Sequence, residues 1–157
     1  MSVIIAHKDF DHTQQYNYLS EENSNDGAVV TFTGLVREFS SGDNVTALEL
    51  EHYPGMTQSL LDDIITQAKK RWQLGRVRIY HRIGYLPIGE QIVFVGVTSK
   101  HRAEAFSAAE FIMDFLKNQA TFWKKEHFSG SSRWVQAKQS DKAALTKWQK
   151  TSSTESQ

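Results

Sequence analysis

The sequence predicts a single α+β domain with a mainly antiparallel sheet and helices packed on it. Its 157 residues amount to one domain, and no Gly/Ser-rich linker divides them. Short β-branched or alternating apolar segments are separated by glycine and proline turns. These segments do not alternate strictly with the two long helical patterns, which favours hairpins over parallel βαβ units. We expect residues 1–150 to form the domain and residues 151–157, TSSTESQ, to be a flexible polar tail.

The first third of the chain contains three predicted strands and a short helix. Val3–Ala6 is a short apolar strand, and Thr13–Leu19 is expected to form one or two helical turns. Gly27–Val36 is rich in β-branched and aromatic residues, which are typical of strands. Val45–His52 alternates apolar and polar residues, and Gly42-Asp43-Asn44 is a turn signal between these two strands. They are therefore expected to pair as a hairpin.

The middle of the chain predicts a helix followed by two strands. Thr57 is expected to cap a helix that runs to about Trp72, with apolar residues at helical spacing. Val77–Ile83 alternates with arginine and tyrosine, which predicts a strand with one buried face. After a turn at Pro87, Gln91–Val97 is apolar enough to be the most buried strand.

The last part predicts a long helix and a final strand. Ser99 is expected to be the N-cap of a helix from Lys100 to about Asn118. The expected apolar face of this helix consists of Ala105, Phe106, Ala109, Ile112, Met113 and Leu116. Arg133–Ala137 is the expected last strand.

Composition excludes several function classes. The 18 Lys+Arg and 18 Asp+Glu give a formal net charge of zero, so strong binding to nucleic acid or to an anionic membrane is disfavoured. There is no cysteine, which removes disulfides, cysteine metal sites, a thiolate nucleophile and a persulfide on this chain. No metal-ligand motif is present, and neither a metal nor a cofactor is expected. The apolar run Ile92–Val97 is too short to span a membrane, and a cytoplasmic protein is expected.

A candidate anion site lies at the start of the long helix, in Ser99-Lys100-His101-Arg102. Cations in a first helical turn oppose the helix dipole by about 0.3–1 kcal/mol each, so helix stability does not explain them. Free N–H groups together with arginine and histidine suit a phosphate or a carboxylate. The alternative is a group of solvated surface side chains.

Lysines farther along the chain are the candidate catalytic groups. Helical spacing places Lys117 close to Met113 and Phe106, so its stem follows the apolar face. It is either a core-edge lysine with a solvated head, or an amine in a partly desolvated pocket with a lowered pKa. Lys124 and Lys125 either face the same pocket or form an exposed basic turn.

Other polar residues are weaker candidates. Arg37 follows a predicted strand and is either a site residue or, as is usual for such an arginine, solvated. His52 and His81 lie on predicted strands, where a structural, hydrogen-bonded histidine is the usual case.

Several segments together resemble one known family, the large, catalytic subunits of molybdopterin synthase. The resemblance extends from about Gly27 to Asp141. It rests on GAVVTFTGLVR, LELEHYPGM, RWQLGRVRIYHRIGYLPIGEQIVFVGVTSKHRAEAF, FIMDFLK, FWKKE and RWVQAK. The order HYPGM, HRIG, SxHR and FIMDxLK is specific to this family.

The resemblance implies an activity and an assembly. The family converts cyclic pyranopterin monophosphate to molybdopterin by installing two sulfurs as a dithiolene. The sulfur arrives as a thiocarboxylate at the C-terminus of a small ubiquitin-like sulfur-carrier subunit. The implied assembly is a heterotetramer built on a central homodimer of large subunits, and the implied fold is an α/β hammerhead.

The resemblance also implies site residues. Its essential lysines correspond to Lys117 and Lys124. Its substrate-binding groups correspond to Leu35, Val36, Arg37, His101, Arg102, Lys117, Lys124, Lys125, Glu126 and Lys138. Lys138 stands where many members have an arginine that reaches the neighbouring subunit's pocket, and lysine lacks the bidentate fork. Thr121 stands where many members have proline.

Two other functions are alternatives to the enzyme. A non-catalytic module could dock the ubiquitin-like partner without activity. A nucleic-acid-binding domain using Trp123 and Trp134 fits the neutral net charge poorly.

Overall fold

The computed structural model describes residues 2–40, 43–118, 122–135, 143–146 and 148. Its strands and helices follow one another as β1 (Val3–Ala6), α1 (His12–Ser20), β2 (Ala28–Leu35), β3 (Phe39–Ser40), β4 (Asp43–Asn44), β5 (Ala47–His52), α2 (Met56–Arg71), β6 (Val77–Arg82), β7 (Gly84–Pro87), β8 (Gln91–Ser99), α3 (Arg102–Asn118), β9 (Phe122–Phe128) and β10 (Ser131–Val135). No helix in these described ranges is long and apolar enough to cross a membrane.

The first sheet has the strand order β1-β6-β8-β2. β1 pairs with β6 in parallel, and the other two pairings are antiparallel. The largest core lies on one face, where α2 and α3 contribute Leu61, Ile64, Phe111 and Ile112 and the strands contribute Val77, Ile79, Val95 and Val97. On the opposite face, Leu19 of α1 packs in a smaller cluster with Phe10, Tyr80 and Phe94.

The second sheet has the strand order β10-β9-β5-β7 and is antiparallel throughout. Leu50 of β5 and Leu86 of β7 form a small buried cluster with Val36, which follows β2. β3 and β4 form a separate two-residue ladder. The predicted α+β class with mainly antiparallel pairing is confirmed.

The predicted hairpin between the strands that became β2 and β5 is wrong. All eight residues of β2 pair with β8, while β5 lies between β7 and β9 in the other sheet. Pairing with the apolar strand β8 places Val30 of β2 against the main core, which a local hairpin would not do. Asp43 and Asn44 of the turn signal form β4, which within the described residues pairs only with β3.

β6 was expected to have one exposed face, and that expectation is wrong because all six of its residues are buried. α1 and the N-terminal segment cover the side that carries its polar residues. The Arg78 guanidinium lies 3.6 Å from the centre of the Tyr18 ring, and the Tyr80 hydroxyl donates to the carbonyl of Lys8. Arginine and tyrosine can be buried here because their polar ends meet an aromatic face or a carbonyl.

Both long helices start at different residues from those predicted. α2 begins at Met56 after Gly55, whose φ of 82° is favourable only for glycine, and Thr57 is a buried first-turn residue rather than the cap. α3 begins at Arg102, because Ser99 is still part of β8, with its hydroxyl 2.7 Å from the carbonyl oxygen of Gln73.

The faces of α3 also differ from the prediction in one place. Phe106 is 60% exposed, although helical spacing placed it on the apolar face. At 100° per residue, Phe106 lies outside the arc of buried residues that includes Ala108, Ile112 and Phe115. Near the C-terminus, which carried no predicted element, Trp148 is buried against Trp72 and Phe111, and its indole N–H donates to Asp114.

Candidate functional site

A pocket lies between the α3 face of the first sheet and strand β9 of the second. Most of its lining is apolar, and three basic side chains project into it. The lining residues are Phe32, Gly34, Leu35, His81, Ile92, Val93, Met113, Leu116, Lys117, Phe122 and Lys124. These residues come from β2, β6, β8, α3 and β9, so the tertiary fold assembles the pocket from distant parts of the chain.

A β-bulge shapes the wall formed by β2 and β8. Gly34 pairs with Val93, but Leu35 pairs with Gln91, so the register passes over Ile92. Bulges redirect side chains and are frequent beside functional sites. Here consecutive residues of both strands, Gly34-Leu35 and Ile92-Val93, line the pocket.

Lys117 and Lys124 reach the pocket from different elements. Lys117 is in the last turn of α3, where a cation interacts favourably with the helix dipole. Met113, one turn earlier, lines the same wall. Lys124 is on β9, two residues after Phe122, so both side chains are on the same face of that strand. The structure therefore brings the two predicted catalytic lysines together.

His81 lies beside these lysines and is 8% exposed. Its ring stacks on Phe122 with a centroid distance of 3.9 Å and an interplanar angle of 17°. Burial, together with the weaker effect of the positive charges of Lys124 and Lys117, lowers the pKa of His81 to about 4, against the opposing effect of a hydrogen bond to the Arg82 carbonyl. The ring is therefore neutral near pH 7.

This arrangement suits an anionic group. Among the lining residues, Lys117 and Lys124 carry ammonium groups and none carries a carboxylate. An apolar surrounding strengthens the attraction between an ammonium and a carboxylate, thiocarboxylate or phosphate. Among the described residues, no cluster of His, Asp and Glu could hold a metal ion.

The three candidates at the end of β2 are placed differently from one another. Leu35 lines the pocket and is 57% exposed. Val36 is buried, and its backbone is engaged with the following turn, since its N–H donates to the Glu90 carbonyl and its carbonyl accepts from Gly89. Arg37 is exposed next to this segment.

Lys125 and Glu126 are not in the pocket wall. Lys125 is on the opposite face of β9 from Lys124, and its ammonium lies 4.8 Å from the centre of the Trp134 ring. Glu126 is 2% exposed, and its carboxylate is 3.3 Å from the guanidinium of Arg133. Glu126 is on the same face of β9 as Lys124, two residues farther along the strand.

His101 and Arg102 are exposed at the other end of α3. The rise of 1.5 Å per residue places Arg102 about 22 Å along the helix from Lys117. One copy of the chain therefore has two separate groups of candidate residues. The predicted site residue Lys138 lies outside the described residues.

The sequence interpretation did not identify His81 and Phe122 as pocket residues. Its place on a predicted strand predicts only an ordinary structural role for His81. The sequence does contain a signal for His81. The strand has arginine or tyrosine at every second position, and it ends with the pair His81-Arg82. The sequence around Phe122 predicts only the start of a basic segment, whereas that segment is a strand with one face toward the pocket.

Comparison with known proteins identifies relatives along almost the whole chain. A family model described as "MoaE protein" matches residues 5–119. The "Molybdopterin synthase catalytic subunit" of Escherichia coli strain K12 is 51% identical over 146 residues, which cover 93% of this chain and 97% of that protein.

Solved structures share the fold. The "Molybdopterin biosynthesis MoaE protein" from Burkholderia ambifaria MC40-6 is 43% identical with a TM-score of 0.80, and the match covers 94% of this chain and 97% of that one. A molybdopterin synthase structure from Staphylococcus aureus is 34% identical with a TM-score of 0.77, covering 86% and 96% of the two chains. With the family model matching most of its length, this chain belongs to the MoaE protein family.

Proposed function

We propose that the chain is the catalytic subunit of a molybdopterin synthase, a sulfurtransferase that converts cyclic pyranopterin monophosphate to molybdopterin. The observation that carries this proposal is the meeting of Lys117 and Lys124 in a largely apolar pocket. The names of the relatives support it, since proteins about half identical over nearly the full chain are called molybdopterin synthase catalytic subunits.

The pocket chemistry suits the sulfur donor of this reaction. A small ubiquitin-like partner with a C-terminal thiocarboxylate would place its anionic terminus between the two ammonium groups. Apolar neighbours such as Phe32 and Met113 line the wall around that terminus and would strengthen its attraction to the ammonium groups. A lysine that loses its proton there can act as a base toward the substrate or as a nucleophile.

The substrate-binding groups require more than one copy of the chain. His101 and Arg102 lie about 22 Å along α3 from Lys117, too far to hold one small substrate together with it. A homodimer resolves this separation if one copy supplies the lysines and the other supplies His101 and Arg102. Lys138 is proposed to act across the same interface. The expected cytoplasmic location stays a prediction.

A module that docks the partner without activity is the alternative. Such a module would need to bind the partner's C-terminus but would not need a reactive amine. The pocket, however, contains both Lys117 and Lys124. Mixing the chain with a thiocarboxylated partner and cyclic pyranopterin monophosphate, then assaying molybdopterin, separates the two functions. We expect product that depends on all three components. Tight partner binding without product would favour the docking module.

A further inference from the structure

His81 is a buried titratable residue of the pocket to which the proposed function gives no role. It reaches the pocket from β6, while Lys117 arrives from α3 and Lys124 from β9. Most other lining residues are apolar, so packing alone would be satisfied by a hydrocarbon side chain. A polar ring beside two amines therefore calls for a chemical explanation.

Two contacts fix the orientation of the His81 ring. Its Nδ1 lies 2.9 Å from the carbonyl oxygen of Arg82, and its plane stacks on Phe122. A carbonyl can only accept a hydrogen bond, so Nδ1 carries the proton. In the neutral ring, Nε2 is then unprotonated and acts as an acceptor. The Arg82 side chain is itself anchored, with Nη1 2.7 Å from a carboxylate oxygen of Glu90.

The surrounding charges keep the ring neutral. Burial is the largest cause of its low pKa, and the groups that act on it electrostatically are Lys124 from β9, Lys117 from α3 and His52 from β5. Protonation would add a third positive charge to a pocket that already holds two. The ring is thus a neutral acceptor next to two strong donors.

We propose that His81 is a positioning residue of this site, whose Nε2 accepts a hydrogen bond from the ammonium of Lys124 and holds that amine at the pocket wall. Lys124 is the partner because it shares a face of β9 with Phe122, the ring on which His81 stacks. Lys124 also has the larger electrostatic effect of the two lysines on His81. The consequence for sulfur transfer rests on the proposed function, but the hydrogen bond does not.

The hydrogen bond is tested on the chain alone by ¹⁵N NMR of labelled histidines. The signals of His81 are identified by their loss in His81→Phe. We expect Nδ1 protonated and Nε2 unprotonated at pH 7. Lys124→Met should shift the Nε2 resonance, and the matched variant Lys117→Met should shift it much less. A proton on Nε2, or an Nε2 resonance that ignores Lys124→Met, would overturn the proposal.

The effect on the reaction is tested with the complete assay. His81→Phe keeps an aromatic ring for stacking but loses the acceptor, and we expect kcat to fall about tenfold or more with KM little changed. His81→Gln retains an acceptor oxygen and should recover most of that loss. Without its acceptor the Lys124 ammonium is less stable, so the limb of the pH–rate profile that reports its deprotonation should move to lower pH in His81→Phe.

Melting temperatures of both variants show whether they fold. Wild-type turnover in a folded His81→Phe would refute the positioning role. So would a loss of turnover with an unmoved pH limb, since that result indicates a structural effect alone. If the wild-type mixture makes no product, the proposed function fails while the NMR result still decides the hydrogen bond.

Discussion

Lys117 is the side chain on which the proposed chemistry depends most directly. Its position combines a helix C-terminus, which favours a cation, with the wall of a largely apolar pocket. An amine in this position can hold an anionic sulfur donor, and acid–base catalysis would require it to exchange a proton as well. The two roles predict different outcomes for substitutions that keep or remove the charge.

Lys117→Ala should reduce molybdopterin formation by roughly 100-fold or more, because both the charge and the exchangeable proton are lost. Partner binding, spread over a larger surface, should persist. Lys117→Arg keeps the charge but does not deprotonate at working pH. Initial rates and partner affinity are the measurements, with the exposed Lys69→Ala on α2 as a control. Full activity in Lys117→Arg would assign this residue a purely electrostatic role, and full activity in Lys117→Ala would shift the catalytic role to Lys124.

His101 and Arg102 should serve substrate binding rather than folding. The double variant His101→Ala, Arg102→Ala should raise KM for cyclic pyranopterin monophosphate about tenfold or more, since charge-assisted hydrogen bonds are lost. Its melting temperature should match that of the wild type, because both side chains are exposed. Lys69→Ala, Lys70→Ala removes exposed charges from α2 and is the control. An unchanged KM would exclude these residues from the substrate site.

His81 also predicts how stability depends on pH. In the unfolded chain its ring binds a proton near pH 6.5, whereas in the folded chain it does so only near pH 4. Between these values the unfolded state binds more protons, so acid favours unfolding. The free energy of unfolding should fall by up to roughly 3 kcal/mol as pH decreases from 6.5 to 4. Urea titrations at several pH values measure this free energy, and it should decline less with falling pH in His81→Phe than in the wild type. The same pH dependence in both proteins would contradict this explanation.

At the scale of secondary-structure elements, α1 packs closely against β8 at Gly96. Gly96 lies under Leu19, and a Cβ atom at this glycine would lie 2.3 Å from Leu19 Cδ1 and 2.9 Å from Phe94 Cε1. Both neighbouring side chains are fully buried, so they have little room to move. The missing side chain at Gly96 therefore lets α1 approach the sheet.

Gly96→Ala should lower stability by about 1–3 kcal/mol because it overpacks this contact. The loss should be smaller when the same change is made in a Leu19→Ala background, where space has been opened. Chemical unfolding of the two single variants and the double variant forms a cycle that measures this coupling. Additive losses would show that the contact between Gly96 and Leu19 does not limit the packing.

Most elements could be predicted from local patterns, but their partners could not. The β-branched residues of β2 and the helical spacing in α3 identify each element on its own. Pairing is non-local: β2 skips its sequence neighbour and joins β8, and the basic segment that follows α3 becomes β9 only because β5 and β10 flank it. The site could not be predicted for the same reason, because the ring of His81 stacks on Phe122, which is distant in sequence.

Viewed as a complete molecule, the chain carries its two groups of basic site candidates at opposite ends of α3. A homodimer in which each pocket takes Lys117 from one copy and His101 and Arg102 from the other would unite them. Light scattering of the purified chain at micromolar concentration should give the mass of a dimer. A monomer would count against the shared pocket.

Mixed dimers give a sharper test. The variant Lys117→Ala lacks the lysine that one copy would supply to a pocket. The double variant His101→Ala, Arg102→Ala lacks the groups that the other copy would supply. A mixed dimer of these variants contains one pocket with every group intact, so random exchange of equal amounts should restore about a quarter of wild-type activity. The measurement is turnover before and after subunit exchange. No recovery, despite exchange confirmed by mass, would place both groups in the same copy.

The length of α3 has a consequence for how this family can vary. One residue inserted within the helix would turn Lys117 by about 100° and displace it by about 1.5 Å relative to Arg102. Such an insertion would leave the helix intact yet point the amine away from its pocket. Insertions and deletions among relatives should therefore be absent from α3 and accumulate instead in segments such as the one joining β3 to β4. A natural chain with a gap in α3 would be expected to have lost sulfur transfer while keeping its fold.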